Sequence, residues 1–290
     1  MFYKALGKTE VKLSEIGIGT WQLNTRTDDA LKAIRVGLDN GINFVDTAEV
    51  YGTEELVGEA IRGYKDVFVA TKVWPTHFHY NDVIKSCEQS LSKLGISQIG
   101  LYQLHWPNPA IPISETMSAM EKLVDMGKIR YIGVSNFSME ELIAAQKAMS
   151  KYTIVSNQVE YSLLVRDAEK ELLPFCHKTG ITLIAYSPLA RGALFSGRYR
   201  NLSSELSSIA QKYKKTAVQT ALNWLLGKGP VIAIPKANNP AHMLENIAAS
   251  SWRLASEDVD AINRLVKDRN RLSMSKKVRG LLSIYFKLRR

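Results

Sequence analysis

The chain has 290 residues, 46% of them hydrophobic and 23% charged, an ordinary balance for a globular protein able to bury a sizeable core. Its two cysteines, Cys87 and Cys176, stand in separate segments with no CxxC spacing, so neither a disulfide framework nor a zinc knuckle is indicated. The net charge of +10 suggests nucleic acid until it is located: ten of the 38 basic residues and one of the 28 acids lie from Arg264 onward, leaving 28 against 27 in the rest. The basicity belongs to the tail, and no nucleic-acid partner is expected. The start, Met1 to Lys8, lacks an apolar signal core, and no run approaches the ~18 apolar residues of a membrane span. A reduced, cytoplasmic setting is the expectation.

In chain order, residues 1–13 read as a small β-hairpin fit to cover one end of a barrel. Strands are then expected at 15–19, 43–46, 67–72, 99–105, 129–135, 154–158, 181–186 and 231–235, where short β-branched runs occur. Helices are expected between them at 28–40, 54–62, 81–94, 114–126, 139–149 and 168–178. In the first, Ala30, Leu31, Ile34 and Leu38 approach the spacing of one helix face. Gly41, Gly95, Gly127 and Gly180 follow helices where C-cap glycines belong, and Ser138 before Met139-Glu140-Glu141 suits an N-cap. A further helix is expected from Ser256 to about Lys267.

Eight strands, each followed by helix-competent sequence, are the arithmetic of a (β/α)8 barrel, an α/β TIM barrel. A doubly wound sheet would have fewer strands and a glycine-rich first turn. Here Gly17-Ile18-Gly19-Thr20-Trp21-Gln22 begins like that turn but has glutamine at the third glycine position. No Pro- or Gly/Ser-rich linker divides the chain, so one barrel domain over 1–265 with a basic tail over 266–290 is expected.

The chemistry of such a barrel lies at the C-terminal strand ends. Asp46, Lys72 and His105 close strands two to four, and Tyr51 follows Asp46 in the loop. Ser135 and Asn136 close strand five, Gln158 strand six and Tyr186 strand seven, and Lys236 follows strand eight. A lone histidine, aspartate or tyrosine at such a place is usually structural. Lys72 is different, because an unpaired buried ammonium costs several kcal/mol. It needs a carboxylate, which Asp46 supplies. Reduction of a carbonyl needs a proton donor for the developing alkoxide. Tyr51 can be that donor, with Lys72 expected to favour its phenolate and lower its pKa, and with His105 orienting the substrate oxygen. No HExxH or clustered Cys/His spacing offers a metal site.

The segments Phe44–Gly52, Ala70-Thr71-Lys72-Val73-Trp74, Leu104-His105-Trp106-Pro107 and Gly133-Val134-Ser135-Asn136-Phe137 resemble the aldo-keto reductase family. So do Asn157-Gln158-Val159-Glu160-Tyr161, Ala185-Tyr186-Ser187-Pro188-Leu189 and Ile234-Pro235-Lys236-Ala237. The likeness runs to about Ala255. It implies that Asp46, Tyr51, Lys72 and His105 form a catalytic tetrad. Ser135, Asn136 and Gln158 would hold a nicotinamide carboxamide, and Tyr186 would stack on its ring. The loop of Ser187, Leu189 and Arg191 would cross the pyrophosphate. The cofactor implied is NADP(H), bound through Lys236, Asn239, His242, Glu245 and Asn246. Many members have Ser and Arg where this chain has Ala237 and His242, so NADPH is expected to stay preferred through Lys236 and Asn239 but with a weaker hold on the 2′-phosphate, which leaves NAD(H) use open.

Trp21, Trp74 and Trp106, beside the tetrad, suggest an aromatic-walled pocket for aldehydes or ketones with apolar bodies. Two other functions fit parts of the pattern: a non-catalytic nicotinamide-binding regulatory subunit resembling potassium-channel β subunits, and a Schiff-base aldolase using Lys72. A monomer is expected. The tail, with Val278 to Arg290 mixing apolar and basic residues, either packs near the pocket mouth or anchors to an anionic membrane surface, and the first is favoured.

Overall fold

The computed structural model describes residues 1–23, 28–266 and 277–282; the remainder of the tail, and with it the membrane-anchor reading, lies outside the described residues. The chain opens with β1 (Tyr3–Ala5) and β2 (Lys12–Ser14), an antiparallel hairpin with Tyr3 opposite Ser14. Eight parallel strands follow: β3 (Ile18–Gly19), β4 (Phe44–Asp46), β5 (Phe68–Val73), β6 (Ile99–Leu104), β7 (Ile129–Ser135), β8 (Ile154–Glu160), β9 (Thr182–Tyr186) and β10 (Val231–Ile234). Each pairs with its neighbour in sequence. The ring closes where Gly17 N donates to Ala233 O at 2.8 Å, Ala233 N to Glu15 O at 2.9 Å and Gly19 N to Pro235 O at 3.1 Å. The fold is the expected (β/α)8 barrel.

The helices pack outside this ring: α1 (Asp28–Asp39), α2 (Glu54–Ile61), α3 (Tyr80–Leu94), α4 (Ile113–Asp125), α5 (Met139–Lys147), α6 (Leu172–Thr179), α7 (Arg200–Lys212), α8 (Ala217–Leu226), α9 (Pro240–Ile247) and α10 (Ser256–Val266). Ser138 caps α5 in a full capping box with Glu141. The helix expected at 168–178 is split into a 3-10 turn over Asp167–Glu169 and α6. Pro174 is the reason: its ring clashes with the carbonyl four residues back, so it is tolerated only in a helix's first turn, and α6 starts two residues before it. Among the described residues no helix is long and apolar enough to cross a membrane.

Alternation along the strands divides the barrel interior into two floors. Successive side chains point in and out, so Phe44, Phe68, Ala70, Leu101, Ile184 and Ile232 form an apolar lower layer, plugged from below by Leu6 and Leu13 of the hairpin. Two residues further along the same strands, the inward positions become Asp46, Lys72, Gln103 and Tyr186. The glycines at 17 and 19 serve the seam: a Cβ on Gly17 would sit 2.5 Å from the Phe44 ring, and one on Gly19 would sit 2.5 Å from Ile234 O. The GxG fragment is thus a close approach of strands rather than part of a phosphate loop.

Beside the seam, the fully buried Glu15 carboxylate accepts from Ser250 Oγ at 2.7 Å and from both Nη atoms of Arg253. Arg253→Met leaves that carboxylate underpaired. The expected loss of unfolding free energy is about 3 kcal/mol, measured by denaturant titration.

Candidate active site

Asp46 ends β4 and Lys72 lies within β5, 2% and 0% exposed, and Lys72 Nζ donates to Asp46 Oδ1 at 2.6 Å. The other donors of the ammonium reach Thr47 O at 2.7 Å and Tyr51 Oη at 3.5 Å. The second carboxylate oxygen, Asp46 Oδ2, accepts from Gln158 Nε2 at 2.7 Å and from Gln103 Nε2 at 3.2 Å. Gln158 belongs to β8, four strands from β4 and so on the opposite wall; the bond spans the barrel.

Tyr51 ends a 3-10 turn over Glu49–Tyr51, which stops at Gly52 in the left-handed conformation (φ 67°). The turn is tied down on both sides. Thr53 Oγ1 bonds Thr47 Oγ1 and Thr20 Oγ1 at 2.8 and 2.9 Å, and Glu49 Oε1 accepts from Trp74 N and lies 3.0 Å from His77 Nδ1. Tyr51 Oη comes within 3.4 Å of His105 Nε2. The His105 ring meets Tyr51 and Trp74 edge-on, at 5.5 and 5.1 Å between centroids.

Burial governs the protonation states. It pushes the Tyr51 phenol well above its ordinary value, reinforced by the charge of Asp46 and by Tyr186. This corrects the expectation that Lys72 lowers it: the ammonium is matched by Asp46 and does not outweigh desolvation. Burial also lowers Lys72, against the opposing pull of Asp46, and holds His105 well below its ordinary value with the help of Lys72. His105 is therefore a neutral imidazole. Its Nδ1 is buried with no partner among the described residues, so its single proton is best carried on Nε2, facing Tyr51 and the cavity.

Around these groups a cavity of about 530 Å³ opens at the C-terminal end of the barrel. Asp46, Tyr51, His105, Ser135, Asn136, Gln158, Tyr186, Ser187, Leu189, Arg191 and Lys236 line it, as do Trp21, Trp74 and Trp106. Asn136 adopts φ 63°, donates through Nδ2 to His105 O and Ser135 Oγ, both at 3.1 Å, and accepts from Tyr186 Oη at 2.9 Å. Trp106 is buried, whereas Trp21 stands at the rim, 38% exposed, with the Arg191 guanidinium 4.6 Å from its ring centre. Ser187, Ala190, Arg191 and Gly192 all have positive φ, a contorted loop over the cavity.

Asn239, His242, Glu245 and Asn246 are not among the cavity-lining residues. Asn239 caps α9, accepting from His242 N at 2.9 Å, and Glu245 accepts from Thr216 Oγ1 at 2.9 Å. Asn246 is buried.

Sequence reading missed Gln103, Glu49 and Arg279. Gln103 was findable, since it lies two residues before His105 and shares its inward phase. Glu49 carries no local signal. Arg279, in a short helix over 277–282, donates to Asn136 O at 3.1 Å and pairs with Glu141, while Val278 lines the cavity.

A closed β/α barrel with its buried polar groups gathered at the C-terminal strand ends is the build of a barrel enzyme. Residues 15–267 match the Aldo/keto reductase family. The methylglyoxal reductase YeaE of Escherichia coli (strain K12) is 35% identical over 263 residues, covering 88% of this chain and 92% of that protein. The thermostable aldo-keto reductase Tm1743, solved with the inhibitor epalrestat, shares 41% identity at a TM-score of 0.84, covering 91% of this chain and 100% of that one. An aldo-keto reductase from Klebsiella pneumoniae solved with NADPH shares 35% at a TM-score of 0.85, covering 94% and 100%. The chain belongs to the aldo/keto reductase family.

Because Asp46 raises Lys72 while burial lowers it, the Asp46→Asn variant should deprotonate Lys72 at lower pH. The alkaline limb of the kcat/KM profile for carbonyl reduction is expected to move toward neutrality. An unmoved limb would separate Lys72 from the reaction.

Proposed function

We propose that the protein is an NADP(H)-dependent reductase converting aldehydes or ketones to alcohols, with Tyr51 as the general acid. One observation carries this reading: Tyr51 Oη, on the cavity floor, lies 3.5 Å from Lys72 Nζ, itself paired with Asp46, and 3.4 Å from His105 Nε2. Lys72 is fully buried with its three donors engaged, which argues against Schiff-base chemistry at its nitrogen.

The donor set suits a nicotinamide. Asn136 Oδ1 keeps a lone pair after accepting from Tyr186, and Gln158, whose Nε2 is committed to Asp46, turns Oε1 away from that carboxylate. Both can accept from a carboxamide N–H, with the Tyr186 ring alongside. Lys236, exposed and 3.2 Å from Gln22 O, is the principal cation for the phosphate end, and the His242 ring at α9 offers a further hydrogen-bonding group there. Asn239 has its side-chain oxygen engaged by the helix cap, which leaves Nδ2, 3.3 Å from His242 Nδ1, as the donor it can offer a phosphate.

When bound there, NADPH would supply a hydride for the carbonyl carbon. His105 Nε2–H donates to the carbonyl oxygen and orients it beside Tyr51. As negative charge gathers on that oxygen, Tyr51 gives up its proton, and Lys72 stabilises the phenolate left behind. Desolvation opposes this transfer in the resting site, so the nearby charges of the reacting complex have to offset it. Trp74 and Trp106 present apolar faces that exclude water and favour substrates with apolar bodies. The Escherichia coli relative's name, a methylglyoxal reductase, supports including small 2-oxoaldehydes among the candidates.

NADPH absorbance with a panel of aldehydes and ketones tests the proposal. Tyr51→Phe should lower kcat by about 10³-fold while NADPH binding, followed by fluorescence, stays intact. Retained turnover would overturn the acid role. His242→Arg should raise the NADPH-to-NADH ratio of kcat/KM several-fold, because a guanidinium offers a permanent planar fork to the phosphate.

A further inference from the structure

The floor beneath Tyr51 contains one group to which the proposed chemistry assigns no task. Gln103 is fully buried in β6, in register with Lys72 on one side and Gly133 on the other. Gly133 leaves it room: a Cβ there would lie 3.0 Å from Gln103 Cγ. The side chain can thus lie across the barrel and donate to Asp46 Oδ2, while its Oε1 sits 3.5 Å from Gln158 Nε2.

Resting on the reductase reading, we propose that Gln103 is a positioning residue that keeps Asp46 ionised and thereby fixes which end of the Gln158 amide faces the cofactor cavity. A buried acid–base pair has two forms with the same proton count: carboxylate with ammonium, or carboxylic acid with amine. Donors to the carboxylate favour the first. Asp46 has three, namely Lys72, Gln158 and Gln103. An ionised carboxylate can only accept, so both glutamines must turn their NH₂ groups toward it. Gln158 is then left with its oxygen for the cavity it lines, an acceptor matched to a carboxamide N–H. A protonated Asp46 could donate instead, and the Gln158 amide could reverse. One proton position would then disable two things at once, the ammonium behind Tyr51 and the cradle polarity.

The test replaces Gln103 by Met, similar in volume and without donors. kcat for aldehyde reduction should fall about tenfold, the scale of one hydrogen bond to a charged group, and KM for NADPH should rise several-fold. Infrared spectra should gain a protonated-carboxyl stretch that disappears in the double variant Gln103→Met/Asp46→Asn. Gln103→Glu gives a pH signature. In its protonated form the new carboxyl can still donate to Asp46. The charged groups facing it are Asp46, its partner at 3.2 Å, and Lys72, its register neighbour on β5, which in turn interacts with Tyr51, His105 and Glu54. Activity should therefore approach that of the wild type at low pH and fall as pH rises, unlike the pH-independent loss in Gln103→Met. Unchanged kcat and KM in Gln103→Met would overturn the proposal. So would a lower melting temperature without the infrared band, or a folded Gln103→Glu inactive at every pH. The infrared band reads the Gln103–Asp46 contact whether or not carbonyls are the substrates, so its failure is distinct from failure of the reductase reading.

Discussion

An ammonium at the centre of a barrel has nowhere to go for water, and Lys72 satisfies its three donors with one carboxylate, one carbonyl and one phenol. That arrangement costs several kcal/mol in desolvation before any attraction is counted, and an apolar pair of similar volume would be at least as stable. The rest of the site can be understood as satisfying it. Asp46 must reach across from β4, Thr47 must turn its carbonyl inward, and the Glu49–Tyr51 turn must fold back over the pair. Thr20, Thr53 and Glu49 hold that turn, and through Glu49 its position is linked to the Trp74 wall. The buried charge is thus held by its surroundings rather than by solvent.

The two-residue period of a strand made much of this legible before any coordinates. Largely apolar strands whose inward positions change to Asp46, Lys72 or Ser135 announce where the interior turns polar, and the order of these positions follows the ring of the barrel. Gln103 stands inside its strand and not at the end, although the same period places it inward between Leu101 and His105. Helix limits followed local chemistry closely enough that Pro174 could have divided 168–178 in advance.

Other features depend on tertiary surroundings that no window of sequence contains. The direction of the Tyr51 shift turns on how far desolvation exceeds the field of an ammonium already matched by Asp46. Asn239 has the residue type of a phosphate ligand and equally of a helix cap, and the cap is visible only in the geometry of α9. The Arg279 contact joins positions 143 residues apart, with no periodicity to signal it.

The hairpin has a further effect, on exchange with solvent. With Leu6 and Leu13 seated under the apolar layer, the barrel is a vessel closed at its base. Among the described residues, the polar route from Lys72 to bulk water runs by way of the cavity floor, where Tyr51 and Asp46 sit. Isotope washout from the buried amine is thereby tied to whatever occupies the mouth. A filled site would hold its internal protons as a private store, isolated for as long as the occupant stays.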